Sequence, residues 1–175
     1  MEKSKVKKLA IAGILIALGV VCSTFSIPVG ASRCFPVQHM VNVLAAVILG
    51  PYYGVAMAAI TSLIRVAVGT GTFLAFPGSM ATRCFCPPES MCGALAAGLI
   101  YKYTKRMYAA ALGELFGTSI VGGILCYPVA VLFMKQEAAL FSYVIPFFVS
   151  SLGGSIAAYL ALTALNKTGA LKRLV

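Results

Sequence analysis

Long apolar runs recur along this chain, and the short segments between them hold nearly all of its charge. Water solvates a stretch such as Leu9 to Phe25 poorly, whereas a helix of roughly 20 apolar residues matches the hydrocarbon core of a bilayer. With 61% hydrophobic residues and a mean hydropathy of +0.97, the 175 residues have room for five or six spans and none for a separate soluble domain. The formal charge of +10 arises from 14 lysines and arginines against four glutamates and no aspartate. Basic residues placed beside apolar runs read as a topology signal rather than a nucleic-acid footprint.

Glycine and proline divide the chain into six predicted spans, making an all-α integral membrane bundle and a single transmembrane domain over 1–175. Helix 1 is expected over Leu9 to Phe25 as an uncleaved span, since the run is longer than a signal-peptide core and no clear cleavage site follows. Pro28 and Gly30 then break the chain into a loop. Helix 2 is expected from Pro36 or Val37 to Gly50-Pro51, and helix 3 from Tyr52 to Val68. Because Cys86-Pro87-Pro88 cannot lie inside a regular helix, helix 4 is placed at Met91 to Tyr103. Helix 5 is expected over Tyr108 to Met134 with a kink at Pro128, and helix 6 over Phe141 to Leu165.

In this six-span scheme ten lysines and arginines fall on the side of the two termini and four elsewhere, so both termini are expected in the cytoplasm of a multi-pass cell-membrane protein. The acid inventory argues against catalysis. Metal-assisted phosphotransfer needs several carboxylates around divalent cations, and here Glu114 alone falls inside a predicted span. No phosphate-binding G-x-x-x-x-G-K-[ST] loop is present, so any ATP must be used by another subunit. No cofactor and no metal site is expected in this chain. A small membrane enzyme acting on a lipid or isoprenoid, and a stand-alone facilitator, are the rival readings.

Polar residues that are costly to hold in hydrocarbon gather at the start of helix 2. There Gln38, His39 and Asn42 share one face by i to i+3 and i to i+4 spacing, beside free backbone N–H donors. They are the candidate ligand-binding group, opposed by the reading that they satisfy one another. Arg65, near the outer end of helix 3, either snorkels outward or serves the site. Glu114 lies deeper on helix 5, followed by Thr118, on a face bearing Gly113 and Gly117 that suits close helix contact. Gly13-x-x-x-Ala17 on helix 1 is a further small-residue surface. Cys34, Cys84, Cys86 and Cys92 admit a metal, a disulfide or free thiols, although Cys-x-Cys is not the usual structural zinc spacing.

The segments Ala31-Ser-Arg-Cys-Phe-Pro-Val-Gln-His-Met-Val-Asn, Leu49-Gly-Pro-Tyr-Tyr, Ser62-Leu-Ile-Arg and Gly69-Thr-Gly-Thr-Phe-Leu-Ala-Phe-Pro-Gly-Ser-Met, with Gly113-Glu-Leu-Phe-Gly-Thr and Cys126-Tyr-Pro-Val-Ala, resemble the ThiW family over nearly the whole chain. The resemblance implies a substrate-binding S component of an energy-coupling factor transporter. Such a subunit captures a thiamine precursor, hydroxyethylthiazole, and joins a transmembrane T subunit and two ATPase subunits. It further implies that the loop after helix 1 caps an outward-facing site and that Gly13 and Ala17 meet the T subunit. On this reading Phe35 covers the ligand, Gln38, His39 and Asn42 hydrogen-bond it, and Arg65, Glu114 and Thr118 support it. One departure stands out: about twelve residues, Ala81 to Cys92, intervene where the family runs almost directly from Phe-Pro-Gly-Ser-Met to Gly-Ala-Leu.

Overall fold

Proline and glycine set the helix boundaries in the computed structural model, which describes residues 2–24, 27–29, 32–68, 87–125 and 144–171. Helix α1 spans Glu2–Val21 and runs on into a 3-10 turn at Cys22–Thr24. It begins earlier than the apolar run because lysine and glutamate are good helix formers. Two three-residue strands, β1 at Ile27–Val29 and β2 at Ser32–Cys34, then pair antiparallel with Ile27 opposite Cys34. A hairpin therefore stands where the sequence suggests only a loop.

Helix α2 covers Pro36–Ile48, with proline in its first turn, where the missing N–H has no partner to lose. Gly50, at φ +98°, supplies the left-handed residue that ends α2 and lets Pro51 open α3, Pro51–Val68. Helix α4 occupies Pro87–Thr104, beginning four residues before the expected Met91. The two prolines are accommodated in its first turn, where they break no intrahelical hydrogen bond. Lys105, also left-handed at φ 55°, closes α4 by donating its backbone N–H to the Tyr101 carbonyl at 2.8 Å.

Helix α5, Met107–Leu125, is α-helical over Met107–Phe116 and π-helical over Gly117–Gly122. Helix α6 spans Val144–Lys167. The expected kink at Pro128, the far end of helix 5 and residues 81–86 of the intervening segment lie outside the described residues.

Helix α2 is the hub, touching each of the other five helices. Val43, Ala45 and Ala46 on it are almost inaccessible, and small residues let its neighbours approach. A Cβ on Gly54 of α3 would lie 3.3 Å from the Ala46 Cα, and one on Gly98 of α4 only 2.6 Å from the Pro51 Cα. Such close backbone approach is how helices associate in lipid, where sequestering an apolar side chain gains little over leaving it in hydrocarbon.

The distribution of polarity is inverted relative to a water-soluble domain. Leu9, Ile14, Ile60, Leu63, Phe116, Ile145, Ile156 and Leu160 are exposed on the outside, while Gln38, His39, Asn42, Glu89, Ser90, Glu114 and Thr118 are buried inside. Water would penalise the apolar exterior and a bilayer does not, while polar groups kept inside and hydrogen-bonded to one another avoid facing hydrocarbon. Helices Met107–Leu125 and Phe147–Lys167 are each long and apolar enough to cross a membrane.

Candidate functional site

The buried polar residues converge where the N-terminal half of α2 meets the start of α4 and the middle of α5. Glu114 of α5 is fully buried, and its Oε1 is the common acceptor. His39 Nδ1 lies 3.0 Å from it, Asn42 Nδ2 donates to it at 3.1 Å, and the Thr118 hydroxyl donates at 3.2 Å. The remaining oxygen, Oε2, is buried with no hydrogen-bond partner among the described residues.

A second node lies one helix away at Ser90. Its Oγ accepts from Gln38 Nε2 at 3.1 Å and from Asn42 Nδ2 at 2.9 Å. The side chains of Gln38, His39 and Asn42 thus reach across to α4 and α5. Asn42 bridges the two nodes, which ties three helices through one amide.

Glycine makes the acid's position possible. A Cβ on Gly93 of α4 would collide with the Thr118 hydroxyl and come within 2.7 Å of Glu114 Oε2 and 2.8 Å of its Cδ. On α5, a Cβ on Gly117 would lie 2.9 Å from the Cys92 carbonyl oxygen, and one on Gly122 only 2.6 Å from the Glu89 Cα. These last two glycines bound the π-helical turn that holds Thr118 and Ser119. The wider turn brings a different set of side chains inward than a regular α-helix would, a feature often found at functional sites. The glycine face of helix 5, suggested from spacing, packs against α4.

Above the cluster, the end of the hairpin leads into Phe35, whose backbone N–H donates to Ser150 Oγ of α6 at 2.8 Å. The Arg65 guanidinium of α3 lies over the Phe35 ring, 4.3 Å from its centroid, an arrangement that attracts a cation to the π face. Arg65 is 6% exposed, so it turns inward and does not snorkel. It stacks on Phe35 and makes no direct ion pair with Glu114. Cys34, beside Phe35, is buried, and that burial pushes its thiol above the ordinary range.

Two participants escape the reading of the sequence. Glu89, placed in a loop, and Ser90, not singled out, are the third and fourth residues of α4 and both are buried. Proline followed by glutamate is a helix-start pattern, with the acid near the positive end of the helix, and is the signal that locates them. Gly13 and Ala17 take no part in these hydrogen bonds: both are exposed on α1, and a Cβ on Gly13 would meet open space. Cys84 and Cys86 lie outside the described residues. Among the described residues no group of three or more histidine, cysteine or acidic side chains is arranged to hold a metal.

An apolar exterior around a closed, hydrogen-bonded polar interior defines a helical membrane protein with a buried polar cluster shared by three helices. The chain belongs to the ThiW family: the family model described as thiamine-precursor transporter protein matches residues 9–168. Membership makes it a component of thiamine-precursor transport, in a family of transporters, in keeping with the poor acid inventory. No curated protein matches the chain.

Proposed function

We propose that this protein is the membrane-embedded substrate-binding subunit of an energy-coupling factor transporter, with six spans and both termini in the cytoplasm. It captures a thiamine precursor, for which hydroxyethylthiazole is the candidate, and delivers it through a T subunit driven by two ATPase subunits. The observation that carries this reading is Glu114: a fully buried carboxylate with one oxygen saturated by three donors and the other left open. Desolvating a carboxylate is costly, and an unused acceptor on it is a place for a ligand hydroxyl. The chain has no nucleotide loop of its own, so work must come from partner ATPases. The exposed Gly13 and Ala17 surface of α1 is the proposed contact with the T subunit, and Phe35 under Arg65 is the proposed cover of the binding site.

Isothermal titration calorimetry on the detergent-purified chain tests the assignment. Saturable binding of hydroxyethylthiazole, thiamine or the aminopyrimidine precursor is expected, and silence with all three would reject it. His39→Asn keeps an N–H at the Nδ1 position for Glu114 and removes the other ring nitrogen, so affinity is expected to fall about tenfold, consistent with one lost hydrogen bond of about 1.4 kcal/mol. An unchanged affinity would remove His39 from the ligand. Gly93→Ala should act differently, because the atoms its methyl meets are the ends of the Glu114 and Thr118 side chains, which can swing away. The stability loss is expected to be about 1 to 2 kcal/mol, the carboxylate shifting without losing its donors, while binding drops at least about tenfold as its open oxygen is displaced. A variant that binds normally would show that Glu114 need not occupy this position.

A further inference from the structure

Glu89 and Ser90 belong to the segment that departs from the family pattern, and the function proposed above leaves Glu89 without a role. Its carboxylate is buried at the first turns of α4, with the residue 8% exposed and Oε2 lacking any hydrogen-bond partner among the described residues. It lies within electrostatic reach of His39, Arg65 and Glu114. Its neighbour Ser90 is already tied to Gln38 and Asn42, so the backbone at this turn is held against α2. Gly122 of the π-helical turn is held against it from the other side, since a Cβ there would lie 2.6 Å from the Glu89 Cα. The backbone that carries Glu89 is therefore held at the cluster by two helices.

Two of the open hydrogen-bond positions here are carboxylate oxygens. Glu114 Oε2 and Glu89 Oε2 are both acceptors, and among the described residues the guanidinium within electrostatic reach of Glu89 is that of Arg65, which is stacked on Phe35. A neutral thiazole alcohol brings one hydroxyl hydrogen, enough for one open oxygen and not for two. Leaving a carboxylate oxygen buried and unmatched costs more than pairing it gains, so selectivity falls on what faces the second acid.

We propose that Glu89 is a specificity-determining residue of this polar site and that the ligand presents to it an electropositive group, either an amino group or a positively charged ring nitrogen, in addition to a hydroxyl. This rests on the substrate-binding reading above and sets an electropositive thiamine precursor in place of its neutral thiazole candidate. The aminopyrimidine half of thiamine and an N-alkylated thiazolium alcohol have that character, and the neutral thiazole alcohol does not.

Calorimetric titration of the detergent-purified chain with three probes provides the test: hydroxyethylthiazole, its N-methylated thiazolium, and the hydroxymethyl aminopyrimidine. At least one electropositive probe is expected to bind about tenfold or more tighter than neutral hydroxyethylthiazole. Glu89→Gln, nearly the same size, is expected to reduce that ratio to within about threefold with an unchanged size-exclusion profile. Preference for the aminopyrimidine alone would identify hydrogen-bond donation as the selected property, and preference for the thiazolium alone would identify charge. Equal or tighter binding of the neutral thiazole by the unaltered chain overturns the inference and leaves the substrate-binding reading intact. A ratio that survives Glu89→Gln overturns it equally. Absence of binding by all three probes overturns both.

Discussion

Glu114→Leu is expected to be the most damaging single substitution in this protein, lowering its stability by about 3 kcal/mol or more. Three donors on two helices share Glu114 Oε1, and leucine gives none of them an acceptor. Individual hydrogen bonds inside membrane proteins average only about 0.6 kcal/mol, so three lost bonds account for about 2 kcal/mol. The rest comes from leaving the His39 and Asn42 donors buried without partners, for which water cannot substitute at this depth. Glu114→Gln separates the two contributions. Its carbonyl oxygen can stand in for Oε1, and the bundle should lose less than about 1 kcal/mol while ligand binding suffers from the loss of the open carboxylate oxygen. Heating the detergent-solubilised variants and measuring the monodisperse fraction by size exclusion gives the comparison. Near-equal midpoints for the unaltered protein and Glu114→Leu would mean that the three donors find other partners, and would remove Glu114 from the centre of the fold.

Gly154→Ala is expected to follow closely, with a loss of about 2 to 3 kcal/mol. A Cβ at this position of α6 would clash with the Pro36 carbonyl oxygen and lie 2.5 Å from the His39 Cβ and 3.0 Å from the Met40 nitrogen. None of these atoms can turn aside as a side-chain tip does, so α6 must move away from the first turns of α2 and carry Ser150 away from Phe35. Gly153→Ala is the control, because its Cβ would meet only Pro36 side-chain carbons at 3.5 and 3.7 Å, ordinary contact distances. Alanine is the better helix former by about 1 kcal/mol, so this neighbour should be neutral or slightly stabilising. The same thermal series reads both variants. Equal midpoints for the two would show that the α2 and α6 seam is loose enough to absorb a methyl group.

The contrast between these neighbouring glycines marks how far sequence reasoning reaches. Both belong to a small-residue run on helix 6 that fits packing or cavity lining equally well, and only the position of α2 separates them. Arg65 is a similar case. Its depth along helix 3 follows from counting residues, whereas its inward turn depends on Phe35 lying within 4.3 Å, on a segment thirty positions earlier. The start of α4 differs from the expected one because proline breaks a helix only in its interior. In a first turn it removes no hydrogen bond, and the earlier start brings Glu89 and Ser90 out of a loop and into the polar centre.

Legible in the residues alone is whatever each segment settles with its own surroundings: the apolar runs that must leave water, the glycine and proline breaks between them, the polar face of Gln38, His39 and Asn42, and the family. These follow from solvation and backbone geometry over a few consecutive residues. Packing of the helices was needed to make Glu114 the shared acceptor of His39, Asn42 and Thr118, to bring Ser90 into the cluster, and to fit the π-helical turn of α5 against the start of α4. Those contacts join residues as much as 75 positions apart, and they form only where a glycine on one helix leaves room for a polar side chain from another.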